Sequence, residues 1–183
     1  MVASEGAPRR EEVLVSGFGG QGVVRMGQIL GLAAVEERLH STMLVSHGTE
    51  TRGGYVRSQV VVSDGQIYSP VVEHPTVFCA LSRAAYQRFY EMVGPEGTIV
   101  YDPAFVEPSS ESPARQLAVP ARDLAVEHFG REIFSNMVAF GQVVSLLGGL
   151  VTRDAAAAAI RQCMPKFLDE NVQAFDLGLS LVP

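Results

Sequence analysis

Gly17-Phe18-Gly19-Gly20-Gln21-Gly22 sets three glycines at the spacing Gly-x-Gly-x-x-Gly, between an apolar run and a helical pattern. Glycines so placed let backbone N–H groups approach a phosphate at a helix N-terminus. Upstream, Val13-Leu14-Val15-Ser16 reads as a short buried strand. Downstream, Val23, Met26, Leu30 and Ala33 recur at helical spacing, with Arg25 and Gln28 off the stripe. Strand, glycine turn and helix together predict a bound NAD or FAD in a stand-alone Rossmann-type oxidoreductase. That reading also requires an acid about 20 residues on, at the end of the second strand, to hold the ribose hydroxyls. The count reaches Glu36 and Glu37, at the end of the first helix, which runs to about Glu37. The second strand, Ser41–Val45, ends at Ser46-His47 with no acid before Glu50 and no arginine beside it for a phosphorylated ribose. The nicotinamide or flavin site is therefore the alternative reading.

A second chemical stretch is His47-Gly48-Thr49-Glu50-Thr51-Arg52-Gly53-Gly54. Its glycines permit positive φ or close approach, and Glu50 with Arg52 could clamp a neighbour or each other. A solvated turn with an ordinary surface pair explains the same residues. Cys79 and Cys163 are the chain's two cysteines and stand in no Cys-x-x-Cys pair, so this chain cannot build a four-thiolate zinc or iron–sulfur site alone. Cys79 lies in Val77-Phe78-Cys79-Ala80-Leu81 and reads as a packed core thiol. Unpaired cysteines fit a reducing cytoplasm. No catalytic residue and no metal ligand set stands out.

The elements that must position these stretches follow from pattern and punctuation. A chain of 183 residues fits one domain and can bury roughly 70% of its unfolded surface without staples. Residues 1–12 read as a flexible N-terminal tail with no apolar signal segment. The net charge of −6 leaves no basic stripe for nucleic acid. Gly27 and Gly31 on the first helix predict close packing, on a sheet beneath or a partner above. Ser41–Val45 is expected to follow that helix in a parallel sheet, and Tyr55–Ser63 alternates as a strand. Asp64-Gly65 reads as a hairpin turn returning through Gln66–Pro70. Thr76–Leu81 is a buried strand, Ser82 caps a helix to about Met92, and Thr98–Tyr101 is a further strand.

Beyond Glu107 the pattern turns mainly helical. Leu117–Pro120 is a short edge strand, Arg122–Gly130 a helix, and Ile133–Thr152 carries no charge. Its serines, asparagine, glutamine and glycines make it a poor membrane span, so it reads as a buried helix, here against a partner subunit. Thr152 caps a helix to Met164, and a last helix runs to Gly178. The fold class is α/β: a Rossmann-like three-layer sandwich with a mostly parallel sheet, one β-hairpin and a helical C-terminal region over about 120–183.

Gly-Phe-Gly-Gly-Gln-Gly-Val-Val, Gly-Thr-Glu-Thr-Arg-Gly-Gly and Val-Val-Val-Ser-Asp-Gly-Gln-Ile-Tyr-Ser-Pro-Val-Val, in this order, resemble the gamma subunit of 2-oxoacid:ferredoxin oxidoreductases. That family covers 2-oxoglutarate, pyruvate, 2-oxoisovalerate and indolepyruvate enzymes. The similarity continues in Pro-Glu-Gly-Thr-Ile-Val-Tyr-Asp and Ser-Asn-Met-Val-Ala-Phe-Gly and makes residues 13–183 a single gamma-type domain. The resemblance implies a subunit of a cytoplasmic, membrane-free complex that oxidatively decarboxylates a 2-oxoacid to acyl-CoA. Thiamine diphosphate, magnesium and iron–sulfur clusters would be held mainly by alpha, beta and delta subunits, with electrons passed to ferredoxin. Gly17, Gly19, Gly20, Gln21 and Gly22 would then touch coenzyme A or a partner, and Glu50, Arg52, Gly53 and Gly54 would face the catalytic subunits. His47, Thr49 and Thr76 depart from the tyrosine, proline and aspartate common at those places, which leaves the choice of 2-oxoacid open.

Overall fold

In the computed structural model, residues 8–48 and 55–181 are described. Alternation of apolar and small residues builds a six-stranded sheet from β1 (Arg10–Phe18), β2 (His40–His47), β3 (Tyr55–Ser63), β4 (Val77–Ala80), β5 (Thr98–Tyr101) and β6 (Arg115–Ala118). The order across the sheet is β2-β3-β1-β4-β5-β6. Pairs from β1 to β6 are parallel, whereas β3 runs antiparallel to both β1 and β2. The hairpin is thus β2–β3, and its second strand is inserted between β1 and β2. This corrects two expectations. β2 does not join its neighbour in parallel, and Asp64-Gly65 is not a hairpin turn with a return strand after it. The Asp64 N–H donates to the Arg9 carbonyl at 3.2 Å, which prolongs the β1–β3 ladder. The chain then crosses the start of β1 to reach β4, where the Thr76 N–H donates to the Glu12 carbonyl at 2.8 Å. The tail expected over residues 1–12 also ends early, because Arg10, Glu11 and Glu12 pair with Ser63, Val62 and Val61.

Helices α1 (Val23–Glu36), α2 (Arg83–Phe89), α3 (Ala121–Phe129), α4 (Ser135–Ser145), α5 (Arg153–Cys163) and α6 (Leu168–Ser180) complete the molecule. Strand side chains alternate between two faces. Val13, Val15, Val60 and Val62 pack with α1 and α3–α6, while Leu14, Val61, Phe78 and Ile99 pack with Tyr86 and Phe89 of α2. The result is a three-layer sandwich with a thick helical layer on one side. On α1, Val23, Met26, Leu30 and Ala33 are all buried, as their spacing predicts. A Cβ on Gly27 would lie 2.0 Å from Ser58 Oγ and 2.8 Å from Met43 Cε, so the small face of α1 meets the sheet. Ser82 and Thr152 cap α2 and α5 by accepting the Ala85 and Ala155 N–H groups. Among the described residues no helix is long and apolar enough to cross a membrane.

The uncharged stretch behaves differently from its expectation. α4 is buried from Met137 to Val144, but by its own chain, chiefly α6 and α3, rather than by a partner subunit. Two glycines allow this approach. A Cβ on Gly178 would fall 1.9 Å from the Val138 carbonyl oxygen, and one on Gly141 2.3 Å from that of Phe175. Buried Gln142 closes the crossing by donating to the Gly178 and Leu181 carbonyls at 2.7 and 2.8 Å. Alanine would gain about 1 kcal/mol of helix propensity at Gly178. The backbone clash has no flexible side chain to absorb it, and overpacking of this kind costs about 1–3 kcal/mol or more. Gly178→Ala is therefore expected to lower the urea midpoint of unfolding. A midpoint raised in line with propensity would show that the crossing is looser than the geometry indicates.

Candidate functional site

The glycine turn lies where the sheet's order reverses, at the carboxyl ends of β1 and β4, which is the usual place for a crevice in an open α/β sheet. Gly20 and Gly22 hold φ of +94° and +83°, a left-handed backbone that only glycine adopts without strain. Gln21 folds its side chain into the turn. Its Oε1 accepts the Phe18 N–H at 2.6 Å, and its Nε2 donates to the Leu81 carbonyl at 2.8 Å. The carboxamide thereby ties the turn to the end of β4 and occupies one of the backbone donors that a phosphate cradle would use. Gly17 leaves room for it, since a Cβ there would stand 2.5 Å from Gln21 Oε1. Gly22 does the same for α4, because its Cβ would lie 2.1 Å from Asn136 Nδ2.

Two clefts flank the turn, and Gly20 lines both. One, of about 420 Å³, is bordered by Gly19, Arg25, Gln28 and His47 at the N-terminus of α1. Cβ atoms at Gly19 and Gly20 would meet nothing within 4 Å, so this backbone is open to a ligand. The other, of about 370 Å³, runs between the turn and α4, over the ends of β4 and β5. Cys79, Val100, Val119 and Ala139 form its floor. Asp102 lines its wall but is already engaged, with Oδ1 accepting the Ala104 N–H at 2.9 Å and Oδ2 the Arg122 N–H at 2.8 Å. Arg122 Nε reaches Glu132 at 3.0 Å at the mouth, and that bond raises the arginine above its ordinary pKa.

The acids considered for a ribose do other work. Glu36 ends α1 and accepts from Gln162, while Glu37 accepts from Thr152, so both hold α1 to the C-terminal helices. The strand beside β1 on that side is β3, which runs the opposite way and brings Tyr55 to the turn in place of a carboxyl end. Gly17, Gly19, Gly20, Gln21 and Gly22 come together as one turn. Glu50, Arg52, Gly53 and Gly54 lie outside the described residues, and the neighbouring Gly48 N–H donates to the Tyr55 carbonyl at 2.8 Å. Thr76, one of the departures, donates to Glu11 at 2.6 Å and accepts the Glu12 N–H at 3.0 Å, which suits a hydroxyl. Asn136, Asp102 and Phe105 were not singled out in the sequence. Asn136 stood only within the family-like stretch Ser-Asn-Met-Val-Ala-Phe-Gly and in the uncharged run from Ile133, with no role assigned to it.

The chain matches the model of the family described as pyruvate ferredoxin/flavodoxin oxidoreductase over residues 12–181. It is 34% identical over 181 residues to a 2-oxoglutarate synthase subunit KorC of Methanothermobacter marburgensis, covering 94% of this chain and 97% of that one. It is similar in structure to the gamma subunit of a keto/oxoacid ferredoxin oxidoreductase from Geobacter sulfurreducens, with a TM-score of 0.80, 30% identity, and 92% and 95% of the two chains covered. A 2-oxoglutarate:ferredoxin oxidoreductase from Magnetococcus marinus, solved with 2-oxoglutarate, coenzyme A and succinyl-CoA, matches at a TM-score of 0.83 and 25% identity over 94% of this chain and 31% of that one. The chain belongs to this family, as a gamma-type subunit of a multisubunit 2-oxoacid:ferredoxin oxidoreductase.

Two outcomes follow. Gln21→Ala removes the acceptor for the Phe18 N–H and the donor to Leu81, interactions worth about 1 kcal/mol each. The Phe18 amide is expected to exchange with solvent about tenfold faster or more, and an unchanged rate would show the turn to be rigid without Gln21. Burial pushes the Cys79 thiol up to about 12. An acid with a raised folded-state pKa contributes stability that is complete below the unfolded value, near 9, and lost as pH climbs toward about 12. Stability should fall over that window in the wild type and fall less in Cys79→Ala, as followed by denaturant midpoints. Parallel pH profiles would contradict the assignment.

Proposed function

We propose that this chain, as one gamma-type domain from about residue 13 onward, lends its glycine turn to coenzyme A at the junction with the catalytic chains. Alpha, beta and delta subunits would carry thiamine diphosphate, magnesium and iron–sulfur clusters. The 2-oxoacid loses carbon dioxide, its acyl group passes to the coenzyme A thiol, and two electrons leave to ferredoxin. This chain contributes no group to those bond changes.

The observation that carries the reading is the open backbone of Gly19 and Gly20 beside Arg25 at the start of a fourteen-residue helix. Such a helix end favours an anion, and Arg25 adds a full charge to it. A diphosphate meets those requirements. The ribose-holding acid of a nicotinamide site has no counterpart among the described residues, which disfavours that alternative. The segment with Glu50, Arg52, Gly53 and Gly54, which lies between β2 and β3 in the chain, is assigned to the partner junction.

In the assembled enzyme, Arg25→Ala is expected to raise KM for coenzyme A by roughly tenfold, in line with loss of one charge-assisted hydrogen bond, while kcat changes little. Arg52→Ala is expected to lower turnover without unfolding this chain. Calorimetry should show no tight binding of NADH or FAD by this chain, and tight binding of either would reverse the assignment. Unchanged kinetics in both variants would remove the turn and its neighbouring segment from the site.

A further inference from the structure

Asn136, in the first turn of α4, lines the cleft between that helix and the glycine turn. Its Oδ1 is buried and has no hydrogen-bond partner, while its Nδ2 abuts Gly22, which has no side chain to accept from it. Around it Gln21 is bonded at both ends of its carboxamide, Asp102 accepts two backbone N–H groups, and Arg122 is paired with Glu132. A buried acceptor left unbonded is costly, so a molecule that brings a donor to it gains the bond and removes that cost. Oδ1 has no bond to break, and χ2 of asparagine is a broad torsion, so the carboxamide can turn toward a group in the cleft.

The rest of the cleft suits a flat, uncharged ring. Its floor is apolar, with Val100 and Val119 nearly fully buried. Phe105, 44% exposed, lines it, and Arg122 lies over that ring at 5.9 Å. Aromatic rings and guanidinium planes are the groups on which nucleobases stack. Asp102 and Glu132 outnumber Arg122 on the walls, which favours a neutral group there over a phosphate. Among bases, adenine sets the N6 donor beside the N7 acceptor, the edge to which an asparagine carboxamide is bidentate. Guanine and hypoxanthine show two acceptors on that edge, of which one carboxamide can serve only one.

Gly20 borders this cleft and the one beside Arg25. The two clefts differ as the two ends of a nucleotide do. Open glycine backbone, a helix N-terminus and an arginine on the α1 side suit a diphosphate. An apolar floor with one unpartnered carboxamide on the α4 side suits a base. In coenzyme A the base and the diphosphate hang on one ribose, so a single molecule can straddle the turn.

We infer that the cleft between the turn and α4 seats the adenine ring of coenzyme A, with Asn136 reading its 6-amino edge. The inference rests on the functional reading above, which places the diphosphate on the other side of the turn. The test uses the assembled enzyme and two coenzymes: coenzyme A and its inosine analogue, in which a carbonyl replaces the 6-amino group. Each is measured with the wild type and with Asn136→Ala. Alanine suits a helix, so the variant should fold and assemble. Should it fail to assemble, Asn136→Leu, closer in size, takes its place.

The wild type is expected to show a KM about tenfold lower for coenzyme A than for the analogue, the discrimination of one bidentate pair. In Asn136→Ala the two KM values should converge, with kcat little changed, a shift in preference that a purely structural role would not produce. ADP should compete with coenzyme A. Inhibition by ADP that is noncompetitive with coenzyme A gives the seat to a free nucleotide and overturns the proposal, as does a preference that survives in Asn136→Ala. Equal KM values in the wild type, beside a raised KM in Arg25→Ala, overturn the base seat and leave the functional reading standing. Equal values with no effect of Arg25→Ala overturn both.

Discussion

The carboxamide of Gln21 is the joint on which the site depends. One side chain bonds the backbone of its own turn and the carbonyl of Leu81, which fixes the glycine loop against the neighbouring parallel strand. The same bonds separate the space around the turn into two clefts of unlike chemistry. On the α1 side the glycine backbone remains open beside Arg25. On the α4 side Gln21, Asp102 and Arg122 are engaged over an apolar floor, while the buried Asn136 Oδ1 has no partner. Gly17 and Gly22 are required because the carboxamide and Asn136 occupy the space a side chain would need.

A second constraint acts from the helical layer on the α1 side of the sheet. α4 reaches the turn only because α6 lets it lie deep in the helical layer, with backbone against backbone at Gly141 and Gly178. The C-terminal helices are therefore part of how the site is built. Glu36 and Glu37 reinforce that connection by accepting from Gln162 and Thr152. Carboxylates at the position of a ribose-binding acid hold helices together here, and the inserted antiparallel β3 removes the strand end on which such an acid would stand.

Much of this was legible from residue pattern. The strand–glycine–helix unit, the caps at Ser82 and Thr152 and the buried stripe of α1 follow from local rules that the tertiary structure does not override. The ordering of strands was not legible, because β2 and β3 alternate in the same way whether they pair in parallel or fold back as a hairpin. Asp64-Gly65 has the composition of a hairpin turn, yet it docks on Arg9 because β3 pairs with β1 to its end. Lack of charge in Ile133–Thr152 indicated burial correctly but could not say by what. The approach of Asn136 to Gly22 and the bond from the Arg122 N–H to Asp102 are long-range contacts that no local spacing encodes.

Backbone amide exchange at residues 17–22 in the assembled enzyme tests the account most directly. The account predicts that coenzyme A slows exchange at Gly19 and Gly20 while NADH leaves it unchanged. Protection by NADH, or none by coenzyme A, would contradict it.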